Sequence, residues 1–151
     1  MIGSKPKLVI FEGPDKAGKS TLFQKYRRAT NYIPLAIDRF TGSNYVYDIH
    51  YNRPTLLDTY LQKEREIQEI FDCYLVLLLP SLEVLEKRIK GGETGEAKKI
   101  ALANYREIAV LFSEYFLYKT KYSQKLWVDT GESTVNECLK LLLEFTKEGS
   151  Q

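Results

Sequence analysis

A glycine-bearing loop near the start of the chain has residue types and spacing that suit phosphate binding. Residues 13–20 read GPDKAGKS and satisfy the pattern G-x-x-x-x-G-K-[ST]. Gly13 and Gly18 permit backbone angles that a side chain would forbid. The loop can therefore turn its N–H groups around phosphates, at the positive end of a following helix. Lys19 is a flexible cation that can reach the β- and γ-phosphates, and Ser20 offers a hydroxyl to Mg²⁺.

The loop therefore predicts binding of a nucleoside triphosphate together with Mg²⁺. The residues predicted to bind the triphosphate are Gly13, Pro14, Asp15, Lys16, Ala17, Gly18, Lys19, Ser20 and Thr21. Lys16 is a second cation in the loop. It could stabilise the charge on a transferring phosphoryl group, as an arginine finger does, or it could be a solvated loop residue.

Asp38 and Arg39 form a second candidate group, because they directly follow a short apolar segment. Ligands bind at the carboxyl ends of parallel strands, and that rule brings Asp38 close to the phosphate loop. Its carboxylate could join Ser20 in holding Mg²⁺, or accept a proton from an attacking hydroxyl. The guanidinium of Arg39 could bind a second phosphate. The alternative is a surface pair at a strand end. The predicted catalytic residues are thus Lys19, Lys16, Asp38 and Arg39.

The apolar pattern predicts alternating strands and helices along one domain covering residues 1–151. Predicted strands cover residues 7–11, 33–37, 73–79 and 126–128, and predicted helices cover residues 19–29, 56–71 and 97–118, with a last helix from residue 133 or 134. Residues 41–54 read as a loop or an irregular helix. This alternation predicts an α/β protein with the three-layer P-loop NTPase fold. Its mostly parallel sheet should have about four to five strands, with helices on both faces.

The amino-acid composition says little about which kinds of partner the protein binds. The chain has 22 Lys and Arg against 20 Asp and Glu, so its charge indicates no nucleic-acid partner and excludes none. Cys73 and Cys138 lie in apolar segments, which favours a reduced, cytoplasmic protein. No apolar run approaches the roughly 20 residues of a membrane span, so we expect no membrane association. No N-K-x-D string is present to read guanine as a GTPase would.

Tyr32, Tyr45, Tyr47 and Tyr51 could stack on a base, although covering the edge of the core is the commoner role for such residues. His50 is the only histidine, and we expect it to be solvated in a loop.

With these residues in view, the chain resembles the thymidylate kinase family of nucleoside monophosphate kinases. Residues 11–21 (FEGPDKAGKST) are similar to that family's F-E-G-x-D-x-x-G-K-S-T. Residues 38–43 (DRFTGS) are similar to its D-R-[YF]-x-x-S, while the less specific segments 75–84, 105–109 and 127–129 also resemble it. The resemblance implies ATP as the phosphoryl donor, with Mg²⁺, and a nucleotide-like acceptor.

The resemblance also implies roles for particular residues. Asp15 would meet the acceptor sugar and the metal shell, and Arg39 would hold the acceptor phosphate, with Ser43 beside it as a further acceptor-binding residue. Lys16 lies where one branch of the family has a catalytic arginine. That branch has an arginine-poor lid, as residues 91–96 (GGETGE) are here. A homodimer is possible.

The departures from the family leave the acceptor open. Only about sixteen residues separate Ser20 from Ile37, where the family has a further strand and helices around its monophosphate. Ile100 and Leu102 replace family arginines. A deoxynucleoside monophosphate such as thymidylate is the first expectation. A nucleoside, or a hydroxyl on DNA or RNA, is the alternative. A nucleotide-binding regulator without transfer activity is a second alternative.

Overall fold

The computed structural model describes residues 5–14, 17–54, 56–81, 83–84, 86–87 and 95–147, with side chains in the last range described from residue 102 onward. Its four strands are β1 (Lys7–Glu12), β2 (Leu35–Asp38), β3 (Asp72–Leu78) and β4 (Lys125–Val128). They form one parallel sheet in the order β2-β1-β3-β4. The central strands β1 and β3 are buried almost throughout, as continuous apolar runs covered on both faces should be.

The helices are α1 (Lys19–Ala29), α2 (Thr41–His50), α3 (Leu57–Ile70), α4 (Gly95–Glu114) and α5 (Val135–Thr146). A π-helical turn, Tyr115–Lys119, continues α4. The expectation of a loop or irregular helix over residues 41–54 is corrected, because α2 is a regular α-helix. Its first turns are buried against the core, and this packing overrides a glycine-, asparagine- and tyrosine-rich composition. None of the helices in the described ranges is long and apolar enough to cross a membrane.

Two hydrophobic cores lie on opposite faces of the sheet. Leu8, Ile10 and Leu75 point to the side that α2, α3 and α4 cover. Alternate residues such as Val9 and Val76 point to the side that α1 and α5 cover. The molecule is therefore a three-layer α/β protein with a parallel sheet of four strands, as the sequence predicts. The two cysteines are buried free thiols, one in each core.

Parallel pairing brings the carboxyl ends of the strands to one edge of the sheet. Phe11 pairs with Asp38, and the N–H of Arg39 continues this ladder by donating to the carbonyl of Phe11 at 2.8 Å. β4 ends at Val128, so Asp129 reaches the same edge. Gly13, Asp38 and Asp129 therefore lie along the edge where the sequence predicts a ligand site.

Candidate functional site

The phosphate loop depends on glycine at two positions. Gly13 has a φ of +149°, and a Cβ there would come within 2.3 Å of the Leu78 carbonyl oxygen on β3. Gly18 has a φ of +80° and begins α1 in the left-handed conformation. Both positions disfavour any other residue. Pro14 and Ala17 are buried between the two glycines.

The first turn of α1 is arranged so that an anion could bind there. No side chain caps the helix at Gly18, and the first turn carries no acidic residue. The positive end of the helix dipole in this turn is therefore not offset by an acidic side chain of the turn itself. Lys19 is buried in this turn, whereas Ser20 and Thr21 are exposed at its surface. Asp15 and Lys16, two further predicted residues of this loop, lie outside the described residues.

Lys19 and Asp38 meet across the ends of β1 and β2. The Lys19 ammonium forms an ion pair with Oδ1 of Asp38. Lys19 is 7% exposed and Asp38 is 35% exposed, so the pair lies at the boundary between the sheet edge and solvent. Two residues that the sequence singled out separately thus share one site. Ser20 and Asp38 carry oxygen atoms of the kind that Mg²⁺ prefers, and their joint binding of Mg²⁺ stays a prediction.

Arg39 has an unusual backbone conformation directly beside this pair. Its φ is +71°, in the left-handed region, which costs about 1–2 kcal/mol for a residue other than glycine. Its Nη1 donates to Ser43 Oγ and to Tyr47 Oη, both at 3.4 Å. These contacts hold the guanidinium against the first turns of α2, one residue along the chain from Asp38.

Glu12 is a functional candidate that the reading of the sequence missed. It is completely buried, and its carboxylate accepts from the N–H of Phe40 and the N–H of Ser43 at 3.1 Å, and from Ser43 Oγ at 2.6 Å. Burial raises the pKa of this carboxyl above its usual value, while the Ser43 and Phe40 hydrogen bonds and Arg39 oppose that shift. A Cβ on Gly42 would come within 2.7 Å of Glu12 Oε2. Glu12 thus fixes the turn that carries Arg39.

The position of Ser43 follows from these bonds. It is buried, and its described contacts go to Glu12 and Arg39. Its contact with an acceptor stays a prediction. The available signal for Glu12 was its charge at the end of an otherwise apolar strand, directly before Gly13.

A second buried carboxylate, that of Glu64 on α3, binds the first residue of α2. It is fully buried and accepts from Thr41 Oγ1 at 2.7 Å and from Tyr115 Oη at 2.6 Å. It also accepts from Thr120 Oγ1 at 2.7 Å and from the N–H of Lys121 at 2.8 Å. Four donors therefore satisfy one carboxylate that would otherwise be costly to bury. Through Thr41, Glu64 positions the turn that carries Arg39.

A cleft adjoins the phosphate loop on the side of α5. It measures about 120 Å³ and is lined by Gly18, Thr21, Leu22, Thr130, Ser133, Val135 and Cys138. The turn after β4 shapes one wall, because Asp129 Oδ1 accepts from the N–H groups of Gly131 at 2.8 Å and Glu132 at 3.2 Å. The cleft is mostly apolar and opens beside Thr21.

Other predicted residues have different surroundings. His50 is not a solvated loop residue, which corrects that expectation: it ends α2, its side chain is mostly buried, and its Nδ1 lies 3.2 Å from a carboxylate oxygen of Glu107. Tyr45 is in the core, as the packing alternative predicts, whereas Tyr51 is largely exposed. The residues of the arginine-poor segment at 91–94 lie outside the described residues.

Comparison with solved structures shows the fold. The chain is similar to the Bacillus subtilis YorR protein, whose structure is a complex with phosphorylated GDP. The two share 22% identity with a TM-score of 0.73, over 93% of this chain and 95% of YorR. A weaker likeness joins it to a Chloroflexus aurantiacus protein provisionally described as a kinase, with 13% identity, a TM-score of 0.49, and coverage of 94% and 99%. Neither a family model nor a curated protein sequence matches the chain. The chain thus has a fold that is found in a nucleotide-binding protein, and the likeness to thymidylate kinase stays a prediction.

Proposed function

We propose that this protein is an ATP-dependent phosphotransferase that phosphorylates a nucleotide-like acceptor. The observation that carries the proposal is the convergence of the phosphate loop, the Lys19–Asp38 ion pair and Arg39 at one sheet edge. A structural neighbour that binds a guanine nucleotide on the same fold supports it.

The donor triphosphate would bind along the loop. The N–H groups of the loop and of the first turn of α1 would hold its phosphates, with Lys19 at the β- and γ-phosphates. Ser20 and Asp38 would hold the accompanying Mg²⁺, which shields phosphate charge when bound. The cleft beside Thr21 is placed to hold the donor's base or sugar. Asp15 and Lys16 belong to this side by sequence.

The acceptor would bind on the opposite side of the Lys19–Asp38 pair, towards α2. Arg39 offers a planar guanidinium that can bind an acceptor phosphate. Because Arg39 directly follows Asp38, an acceptor phosphate bound to it would lie beside the transferring group. In the reaction, an acceptor oxygen forms a bond to the γ-phosphorus while the bond to the β–γ bridging oxygen breaks, and ADP leaves. Lys19 would stabilise the charge that develops on the phosphoryl oxygens.

A deoxynucleoside monophosphate such as thymidylate is the first acceptor that we propose, because Arg39 is held where it could bind its phosphate. Such an acceptor attacks through an oxygen that is already anionic, and it needs no general base. A hydroxyl on a nucleoside, DNA or RNA is the second. The exposure of the Asp38 carboxylate favours that alternative, since a hydroxyl must lose a proton and Asp38 could accept it.

The test is a transfer assay with ATP labelled at the γ-phosphate. Nucleosides, nucleoside monophosphates and short oligonucleotides are offered separately, with the wild-type protein and with Lys19→Ala. We expect label on at least one nucleotide-like acceptor with the wild type, and none with Lys19→Ala. ATP binding without transfer to any of these acceptors would replace the proposal with a nucleotide-binding regulator. Absence of ATP binding would overturn the assignment of the loop.

A further inference from the structure

A row of planar side chains runs from the candidate acceptor site along α2. The Arg39 guanidinium carbon lies 5.4 Å from the centroid of the Tyr47 ring. The rings of Tyr47 and Tyr51 are 6.2 Å apart and nearly parallel, at 21°. The Arg53 guanidinium carbon lies 5.4 Å from the Tyr51 ring. We refer to Arg39, Tyr47, Tyr51 and Arg53 as the stacking row.

Packing explains only the inner part of this row. Tyr47 is partly buried against the core and meets Phe112 edge to face. Tyr51, one helical turn further on, is 62% exposed, and the Arg53 side chain is 55% exposed. Tyr45 shows what a core tyrosine looks like in the same helix, since it is 4% exposed. The outer half of the row thus presents an aromatic ring and a guanidinium to solvent.

Neighbouring groups hold the outer residues in place, and Arg53 pairs with the nearby carboxylate of Asp48. Asp48 Oδ1 lies 3.2 Å from Arg53 Nε, and Asp48 Oδ2 accepts from Tyr60 Oη at 2.8 Å. His50 meets the Tyr51 ring edge to face, with centroids 4.8 Å apart. The Nδ1 of that histidine lies 3.2 Å from a carboxylate oxygen of Glu107. The ring and the guanidinium are therefore partly ordered before any ligand arrives, which lowers the entropy cost of binding.

We propose that the stacking row binds a single-stranded nucleic acid whose terminal nucleotide occupies the acceptor site. This inference rests on the proposed function and extends its acceptor from one nucleotide to a short strand. Aromatic rings and arginine planes in succession suit single strands, because every base has a face that can stack and the backbone phosphates attract guanidinium groups. A mononucleotide held by Arg39 would reach Tyr47. A second nucleotide would reach Tyr51, and the connecting phosphate would approach Arg53.

The experiment measures affinity as a function of acceptor length. Fluorescence anisotropy with 3′-labelled hexathymidylate and hexauridylate gives direct binding, and unlabelled thymidine monophosphate and uridine monophosphate are used as competitors. We expect at least one hexamer to bind the wild type about tenfold or more tightly than its mononucleotide. Tyr51→Ala should weaken hexamer binding about tenfold, equal to about 1.4 kcal/mol, and Tyr51→Phe should retain it. Arg53→Gln should reduce the slope of log affinity against log salt by about 0.7.

Matched controls separate the row from general surface effects. Tyr118 is 81% exposed in the π-helical turn, and Arg28 is exposed on α1. Tyr118→Ala and Arg28→Gln should bind the hexamers as the wild type does. The wild-type comparison of lengths needs no variant, so a poorly folded Tyr51→Ala does not remove the test.

The outcomes distinguish the two proposals. If the protein binds ATP and a mononucleotide but binds neither hexamer more tightly, the stacking row has no role in binding a strand. The same conclusion follows if Tyr51→Ala and Tyr118→Ala weaken hexamer binding equally. If the wild type does not bind ATP, the proposed function itself fails, whatever the hexamers do.

Discussion

The two sides of the Lys19–Asp38 pair are built in different ways. On the side of α1, one short stretch of chain supplies the phosphate loop, and two glycines allow its conformation. On the side of α2, the turn carrying Arg39 is held by carboxylates from elsewhere in the chain. Glu12 fixes it from β1 and Glu64 fixes it from α3. We call these the donor side and the acceptor side.

This difference predicts how each side responds to substitution. The geometry of the donor side is local, so it should tolerate changes outside residues 13–21. The acceptor side contains a strained residue, Arg39, whose position depends on buried hydrogen bonds over long distances in the sequence. Substitutions that touch no ligand should therefore alter acceptor binding more than ATP binding.

The largest effect should come from Lys19→Ala on the donor side. We expect it to weaken ATP binding and to lower turnover by a factor on the order of 10³ or more, because it removes the cation proposed to contact the β- and γ-phosphates. No other cation among the described residues is paired with Asp38 in its place. Calorimetric titration with ATP and a turnover assay measure the two effects. Lys25→Ala, on the exposed face of α1, is the matched control. Normal turnover in a pure Lys19→Ala protein would refute the assignment.

Glu64→Ala should have the next largest effect, and on the acceptor side. It leaves the buried hydroxyls of Thr41 and Tyr115 and the half-buried hydroxyl of Thr120 without their acceptor. We therefore expect the free energy of unfolding to fall by about 3 kcal/mol or more. Urea denaturation measures this loss, with the exposed Glu69→Ala as control. In the remaining folded protein, KM for the acceptor should rise more than KM for ATP. Equal changes in both KM values would contradict the distinction between the sides.

A pair of substitutions next to the transferring group identifies the acceptor. With a monophosphate acceptor, Arg39→Ala should mainly raise the acceptor KM, by loss of a contact worth about 2–3 kcal/mol. With a hydroxyl acceptor, Asp38→Asn should instead lower kcat by about 10² to 10⁴, with KM little altered. Steady-state kinetics at saturating Mg²⁺ measure both, because excess metal should partly rescue a metal-binding defect but not a lost base. If neither substitution changes turnover, these residues are not part of the site.

The sequence was most informative where structure is local. Apolar runs and their spacing predicted the strands and the layers, and the glycine pattern predicted the loop before α1. The rule that parallel strand ends share one edge predicted that Asp38 lies close to the phosphate loop. The roles of Glu12 and Glu64 could not be predicted, since each depends on partners that only the packed fold brings together. The regular helix α2 was also not predicted from its composition, because tertiary packing rather than helix propensity stabilises it.

The smallest effect, and the most specific, should come from Glu12→Gln. Burial raises the pKa of Glu12 in the folded protein above its usual value. Below the usual pKa the carboxyl is protonated in both states and imposes no penalty. As the pH rises from about 4.5, the unfolded state ionises first, so stability falls until the pH passes the raised pKa. A glutamine side chain can still accept hydrogen bonds from the N–H groups of Phe40 and Ser43, and its amide can donate to Ser43 Oγ. The stability of the Glu12→Gln variant should therefore differ from that of the wild type only in lacking this pH dependence.

Urea denaturation at pH values from about 3 to 7 tests this expectation. The stability of the wild type relative to Glu12→Gln should decrease with rising pH, by about 1.4 kcal/mol for each unit by which the pKa is raised. Glu137 supplies a control of opposite sign. It is exposed in the capping box of α5, where the Thr134 backbone and side-chain hydrogen bonds lower its pKa. The contribution of the Glu137 carboxylate to stability is fully present above its usual pKa. That contribution is lost as the pH falls through the lowered pKa of the folded protein. Parallel pH profiles for the wild type and Glu12→Gln would mean that the pKa of Glu12 is not raised, because its hydrogen bonds and Arg39 offset the cost of burying the charge.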